Sequence, residues 1–131
     1  MPMDSRPPVQ LTAPAERGSV RLARLLAGGV ADDAGLSVDD MEDLRIAVSE
    51  LVALLVEGAE KDGGPIVVRF RAVQGRVEVD GEAPASAADH NGTAVDDLAL
   101  EILRVVVDDH SFDAGAGGRR FHLVKRSRVE T

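Results

Sequence analysis

The chain of 131 residues has no cysteine, no tryptophan and no tyrosine. Without cysteine there is no disulfide, no thiol nucleophile and no thiolate-held metal. With aromatics at 2% of residues, the core has to be aliphatic, and platforms for stacking single-stranded bases are scarce. His90, His110 and His122 stand singly, without paired ligand spacing, which argues against a metal held by histidine alone. No stretch approaches the roughly 18 apolar residues of a membrane span. The opening MPMDSRPPVQ has no hydrophobic signal core, so a cytoplasmic location is the expectation. Positive charge is in deficit, with a formal net charge of -8. Such a surface repels nucleic acid and anionic membranes and attracts a basic protein partner.

What is present suffices for one domain. Apolar residues make up 44%, enough for a packed core at this length. Basic residues gather at one place, Arg119, Arg120, Lys125, Arg126 and Arg128. That cluster reads as a charged edge strand followed by a solvated tail. Residues 1–8 hold three prolines and read as a flexible lead-in; residues 127–131 read as a tail, leaving 9–126 as the domain.

Within the domain the periodicities alternate. VQLT (Val9–Thr12) is a short strand and Pro14 suits a first helical turn. Val20, Ala23, Leu26, Ala27 and Val30 recur at helical spacing, with Leu22 and Leu25 widening the stripe, up to about Ala34. Gly35 is a stop signal. Ser37–Asp40 resembles a capping box, with Asp40 in the place of the usual glutamate. A second helix follows to about Ala59, with Leu44, Val48, Leu51 and Leu55 as its core face. Ile66–Val73, Gln74–Gly75 and Arg76–Asp80 read as a β-hairpin. Residues 81–92 read as a loop. A capping-box-like start at Thr93–Asp96 opens a third helix to about Val107, with Leu98, Ile102 and Val105 on one face and Ala99, Leu103 and Val106 beside it. A second hairpin closes the chain. This order predicts an α/β two-layer sandwich: a largely antiparallel sheet of about five strands, covered on one face by three helices.

In order, spacing and local sequence, VRLARLLAGGVADDAGLSVDDMEDLRIAVSELV, GGPIVVRFRAVQGRVEVDG and LRVVVDDHSF…GGRRFHLVKR resemble the anti-sigma regulatory factors of actinobacteria. These are serine-kinase-like proteins of the GHKL (histidine kinase-like) ATPase superfamily. The resemblance implies that fold, ATP and Mg²⁺ as cofactors, and partner switching between a sigma factor and an anti-anti-sigma protein that is phosphorylated on serine or threonine. It also implies three nucleotide motifs. In Glu-x-x-x-Asn, a general base and a Mg²⁺ ligand sit one helical turn apart; here they are Glu50 and Leu54. In Asp-x-Gly-x-Gly, the acid reads adenine and the glycines admit the nucleotide. The corresponding residues are Asp80 and Gly81, with Glu82 and Pro84 at the glycine positions. In Gly-x-Gly-Leu, bare backbone N–H groups hold phosphate at a helix start; here the glycine positions are Asp97 and Ala99.

Leucine has no lone pair for a hard cation. Asp96 and Asp97 at a helix N-terminus occupy the field that phosphate needs. The expectation is therefore a protein-binding regulator with a degenerate ATP site. Glu50 would be a vestigial general base, Asp80 and Gly81 a vestigial nucleotide site, and no metal or cofactor would be held. Periodicity alone makes Glu50 a solvated acid and Asp80 a strand-end turn residue. The alternative is an active serine/threonine kinase in which Glu50 is the base, Asp80 reads adenine and another group, such as Glu57, holds Mg²⁺. A homodimer, with the old cleft filled by side chains, is compatible with the first reading. Direct contact with nucleic acid or a membrane is not expected.

Overall fold

A computed structural model describes residues 7–60, 63–85 and 95–128. Four expectations reach beyond those residues: the lead-in at 1–6, the loop over 86–92, a cap at Thr93 and the tail at 129–131. The elements are β1 (Val9–Ala13), α1 (Arg17–Asp33), α2 (Val38–Glu57), β2 (Ile66–Val73), β3 (Arg76–Ala83), α3 (Asp97–Val106), β4 (Asp109–Gly115) and β5 (Gly118–Arg126). The strands form one antiparallel sheet in the order β1-β2-β3-β5-β4. Among the described residues no helix is long and apolar enough to cross a membrane.

Strand alternation decides the two faces of the sheet. Ile66, Val68 and Phe70 of β2, Val77 and Val79 of β3, and Phe121 and Leu123 of β5 are buried against the helices. Arg69, Glu78, Asp80, Glu82 and Arg120 alternate with them on the other, open face. The four residues expected on the core face of α2, Leu44, Val48, Leu51 and Leu55, are all fully buried. Burial of a side chain of this size contributes about 1.5–3 kcal/mol. Helix α1 meets α2 through small residues, Ala23, Ala27 and Ala31, which lets the two axes approach closely. Gly28 and Gly29 lie within an unbroken α1.

Helix ends follow local chemistry. Gly35, at φ +79, ends α1. Its N–H donates to Asp32 O and the Leu36 N–H to Ala31 O, a Schellman arrangement that favours glycine. Ser37 caps α2 by accepting from the Asp40 N–H. Pro14 precedes α1 instead of entering it, and its carbonyl accepts from Ser19 Oγ.

Five sequence expectations are corrected. Strand β5 is interior to the sheet, between β3 and β4, so the basic cluster is no edge strand. Arg119 is 0% and Lys125 1% exposed, while Arg120, Arg126 and Arg128 are exposed. Asp40 does not complete a capping box at the surface; it is buried beside Lys125 Nζ, at 3.6 Å. Strand β3 runs on to Ala83, which puts Asp80 inside a strand and Gly81 outside any loop. Leu22 and Leu25 are exposed and do not widen the buried stripe of α1. Helix α3 is capped by Asp96, which accepts from the Ala99 N–H, and buries Ala99, Leu103 and Val106. The face carrying Leu98, Ile102 and Val105 turns outward.

Candidate functional site

Helix α2 carries Glu50 half-buried on the flank away from its core face. Arg24, Glu42, Arg45, Ile46, Ser49 and Glu50 line an open groove of about 410 Å³ at that flank. Ser49 Oγ donates to the Arg45 carbonyl one turn back, so it is occupied within the helix. Arg45 pairs with Glu42 at 2.9 Å. The Glu50 carboxylate thus opens onto a polar groove and solvent.

One turn on, Leu54 is half-buried and packs against the core. It offers no oxygen to a cation beside Glu50. Glu57 is the last residue of α2 and is exposed. Among the described residues no group of three or more His, Asp or Glu side chains could hold a metal ion.

The space between the C-terminal half of α2 and the sheet is filled from β5. Arg119 points toward the helices; its Nη1 donates to Gly58 O at 2.8 Å and its Nη2 to Leu55 O at 2.9 Å. These are carbonyls at the end of α2, which lack a partner within the helix. A cation there also complements the negative end of the helix dipole. Two residues along β5, on the same face, Phe121 stands opposite Gly81 of β3. A Cβ built on Gly81 would collide with the Phe121 ring. Glycine at 81 is therefore required by close approach of the ring.

Asp80 lies on the opposite face. Its register partner is His122, and Asp80 Oδ1 is 2.7 Å from His122 Nδ1. Both side chains are partly open to solvent. Arg69, opposite Asp80 on β2, is bonded instead to Gln10 and Glu82. Asp80 is thus neither a turn residue nor a neighbour of α2. The sheet separates it from Glu50, and the structure does not bring the two together. Gly81 does face the helices, beneath Phe121.

Sequence reasoning missed Arg119 and Phe121. Alternation could have found both, because RRFHLVK places residues 119, 121, 123 and 125 on one face. Two apolar members of that set demand a buried face and carry two cations into it.

A family profile described as histidine kinase-like ATPase domain matches residues 13–125. Among curated proteins, a serine-protein kinase RsbW from Halalkalibacterium halodurans is 34% identical over 71 residues, covering 54% of this chain and 44% of that protein. RsbW from Bacillus velezensis is 41% identical over 73 residues, covering 54% and 46%. RsbW from Bacillus cereus is 35% identical over 94 residues, covering 71% and 54%. The chain spans about half the length of these curated relatives. A crystal structure of the RsbU and RsbW domains of Rv1364c from Mycobacterium tuberculosis matches 96% of this chain and 35% of that one, with a TM-score of 0.72 at 23% identity. That likeness is one of fold.

Proposed function

Because the chain belongs to the histidine kinase-like ATPase domain family, we propose that it is a regulator of the anti-sigma type, one that works by binding a sigma factor, an anti-anti-sigma protein or both, and not by phosphoryl transfer. The observation that carries this reading is the Arg119–Phe121 pair in the space between α2 and the sheet. Removing Arg119 from that space would take from the Leu55 carbonyl its buried donor, and a buried polar group without a partner costs about 1–3 kcal/mol. The residues present do not fit a magnesium nucleotide. Leu54 replaces an oxygen ligand, Phe121 covers Gly81, and Asp80 faces the wrong side of the sheet.

The kinase reading has two observations in its favour. The Glu50 carboxylate is open to a groove, and the relatives are named serine-protein kinases. It requires a magnesium ligand in place of Leu54, and the candidate named from the sequence, Glu57, ends α2 at the surface. Calorimetry with Mg-ATP separates the readings. No heat of binding at millimolar ATP is expected; micromolar binding would favour the kinase. Co-purification with sigma and anti-anti-sigma proteins of the native host tests the regulator directly, and retention of neither kind would overturn it.

A further inference from the structure

Helix α3 presents an apolar stripe to solvent. Leu98 is 71% and Val105 68% exposed, and Ile102 between them is half-buried. Positions 98, 102 and 105 fall on one helical face, over about 10 Å of axis. On the adjoining α2, Ile46 is 43% exposed. Ile46, Ile102, Val105 and Val106 line a groove of about 450 Å³ between the two helices, with Glu101 at its rim. Apolar residues exposed singly are ordinary; a stripe in helical register with a further exposed apolar residue, Ile46, across a groove from it is a binding feature.

The rim carries an excess of negative charge. Ile46 stands one turn from both Glu42 and Glu50 on α2. Asp97 and Glu101 flank Leu98 and Ile102 on α3. Cations stand there too: Arg45 holds Glu42 at 2.9 Å, Arg104 holds Glu101 at 3.2 Å, and Arg128 pairs with Asp40 and Asp43 while its Nη2 donates to the Val105 carbonyl at 3.0 Å. Arg24 lines the groove beside Glu50, so the rim acids Glu42, Glu50, Asp97 and Glu101 outnumber Arg24, Arg45 and Arg104 by one. Among the described residues, Glu50 and Asp97 have no ion pair.

We propose that this groove docks an amphipathic helix of a protein partner, with apolar anchors laid along Leu98, Ile102 and Val105 and lysines or arginines beside them meeting Glu50 and Asp97. Anchors at i, i+3 or i+4, and i+7 match the stripe. Charge selects the occupant. Two copies of this chain would bring two acidic rims together, whereas a cationic helix is steered in. The inference deepens the partner-binding reading and rests on it. It gives Glu50 work that needs neither nucleotide nor magnesium: reading the charge of the partner.

The test uses the full chain and two synthetic helical peptides of one pattern, Leu/Lys and Leu/Glu. Binding is followed by fluorescence anisotropy and mapped by amide chemical shifts. The Leu/Lys peptide should bind at least about tenfold more tightly than its Leu/Glu counterpart, with shifts centred on α2 and α3. The double substitution Leu98→Ser with Val105→Ser, at exposed positions, should weaken it about tenfold or more. Glu50→Gln should weaken it several-fold and flatten its salt dependence. Circular dichroism checks that both variants stay folded. Equal binding of the two peptides, or binding indifferent to the double substitution, overturns the proposal. So does a dimer in solution that the double substitution dissociates, since a second copy would then cover the groove. A purified sigma or anti-anti-sigma protein held equally by wild type and the double variant sinks the groove but leaves the regulator standing. Failure of the wild type to hold either protein sinks the regulator, while the peptides still judge the groove.

Discussion

Helix α2 is gripped at both ends by one strand, and the two grips differ in chemistry. At its C-terminal end, Arg119 of β5 donates to backbone carbonyls of Leu55 and Gly58. At its N-terminal end, Lys125 of the same strand meets carboxylates, Asp43 at 3.3 Å and Asp40 at 3.6 Å. Arg128 joins there: its backbone N–H donates to Asp40 Oδ2 at 2.9 Å. Both arrangements obey the helix dipole, with a cation at the carbonyl end and acids in the first turn. Both also bury a full positive charge, which persists only where partners replace water. The difference is that one end is held by neutral groups and the other by a titratable pair. The carbonyl-held end is also where the cleft beneath α2 is closed. The fold can thus fill that cleft and secure the helix with the same side chain.

The contrast breaks most sharply at Lys125. Lys125→Met leaves the Asp40 carboxylate buried without its ammonium, and urea denaturation should show a loss of about 3–5 kcal/mol. Arg119→Met should cost less, about 1–3 kcal/mol, because the carbonyls left behind are uncharged. Hydrogen exchange should speed up in the last turn of α2 for that variant and not for Lys125→Met. The smallest effect depends on pH. Burial pushes the Asp40 carboxyl up, but the Arg128 backbone N–H, the Lys125 ammonium and the Ser37 hydroxyl together outweigh it and hold the group below its ordinary value. A carboxyl depressed on folding stabilises fully above its unfolded value, about pH 4, and that contribution is lost as pH falls through the lower folded value. Acid titration of stability should therefore fall more steeply for wild type than for Asp40→Asn, while the loss caused by Arg119→Met stays level across the same range. Equal slopes for wild type and Asp40→Asn would remove the titratable end from the comparison.

Much of the fold was legible because its signals are local. The core face of α2 at Leu44, Val48, Leu51 and Leu55, the stop at Gly35, the cap at Ser37 and both hairpins follow from period, turn chemistry and spacing. The errors share one origin. Whether Arg119 and Lys125 sit at an edge or in the interior depends on strand order, and strand order is set by pairing between segments far apart in sequence. Helix α3 offered two apolar faces, Leu98/Ile102/Val105 and Ala99/Leu103/Val106. Periodicity cannot choose between them when both are continuous, so packing against α2 chose. Asp80 looked like a strand end because Gly81 reads as a turn residue. The strand continues because glycine there makes room for Phe121.

The same division holds for the site. The sequence alone determined that Glu50 has Leu54 one turn away, and so no magnesium ligand in that place, since this follows from helical geometry and side-chain chemistry. Tertiary structure decided that Asp80 faces away from Glu50, that Arg119 and Phe121 occupy the space under α2, and that α3 leaves Leu98 and Val105 in water. Each of those outcomes turns on which face of an element meets its neighbour. A residue's identity carries no record of that until distant strands have paired.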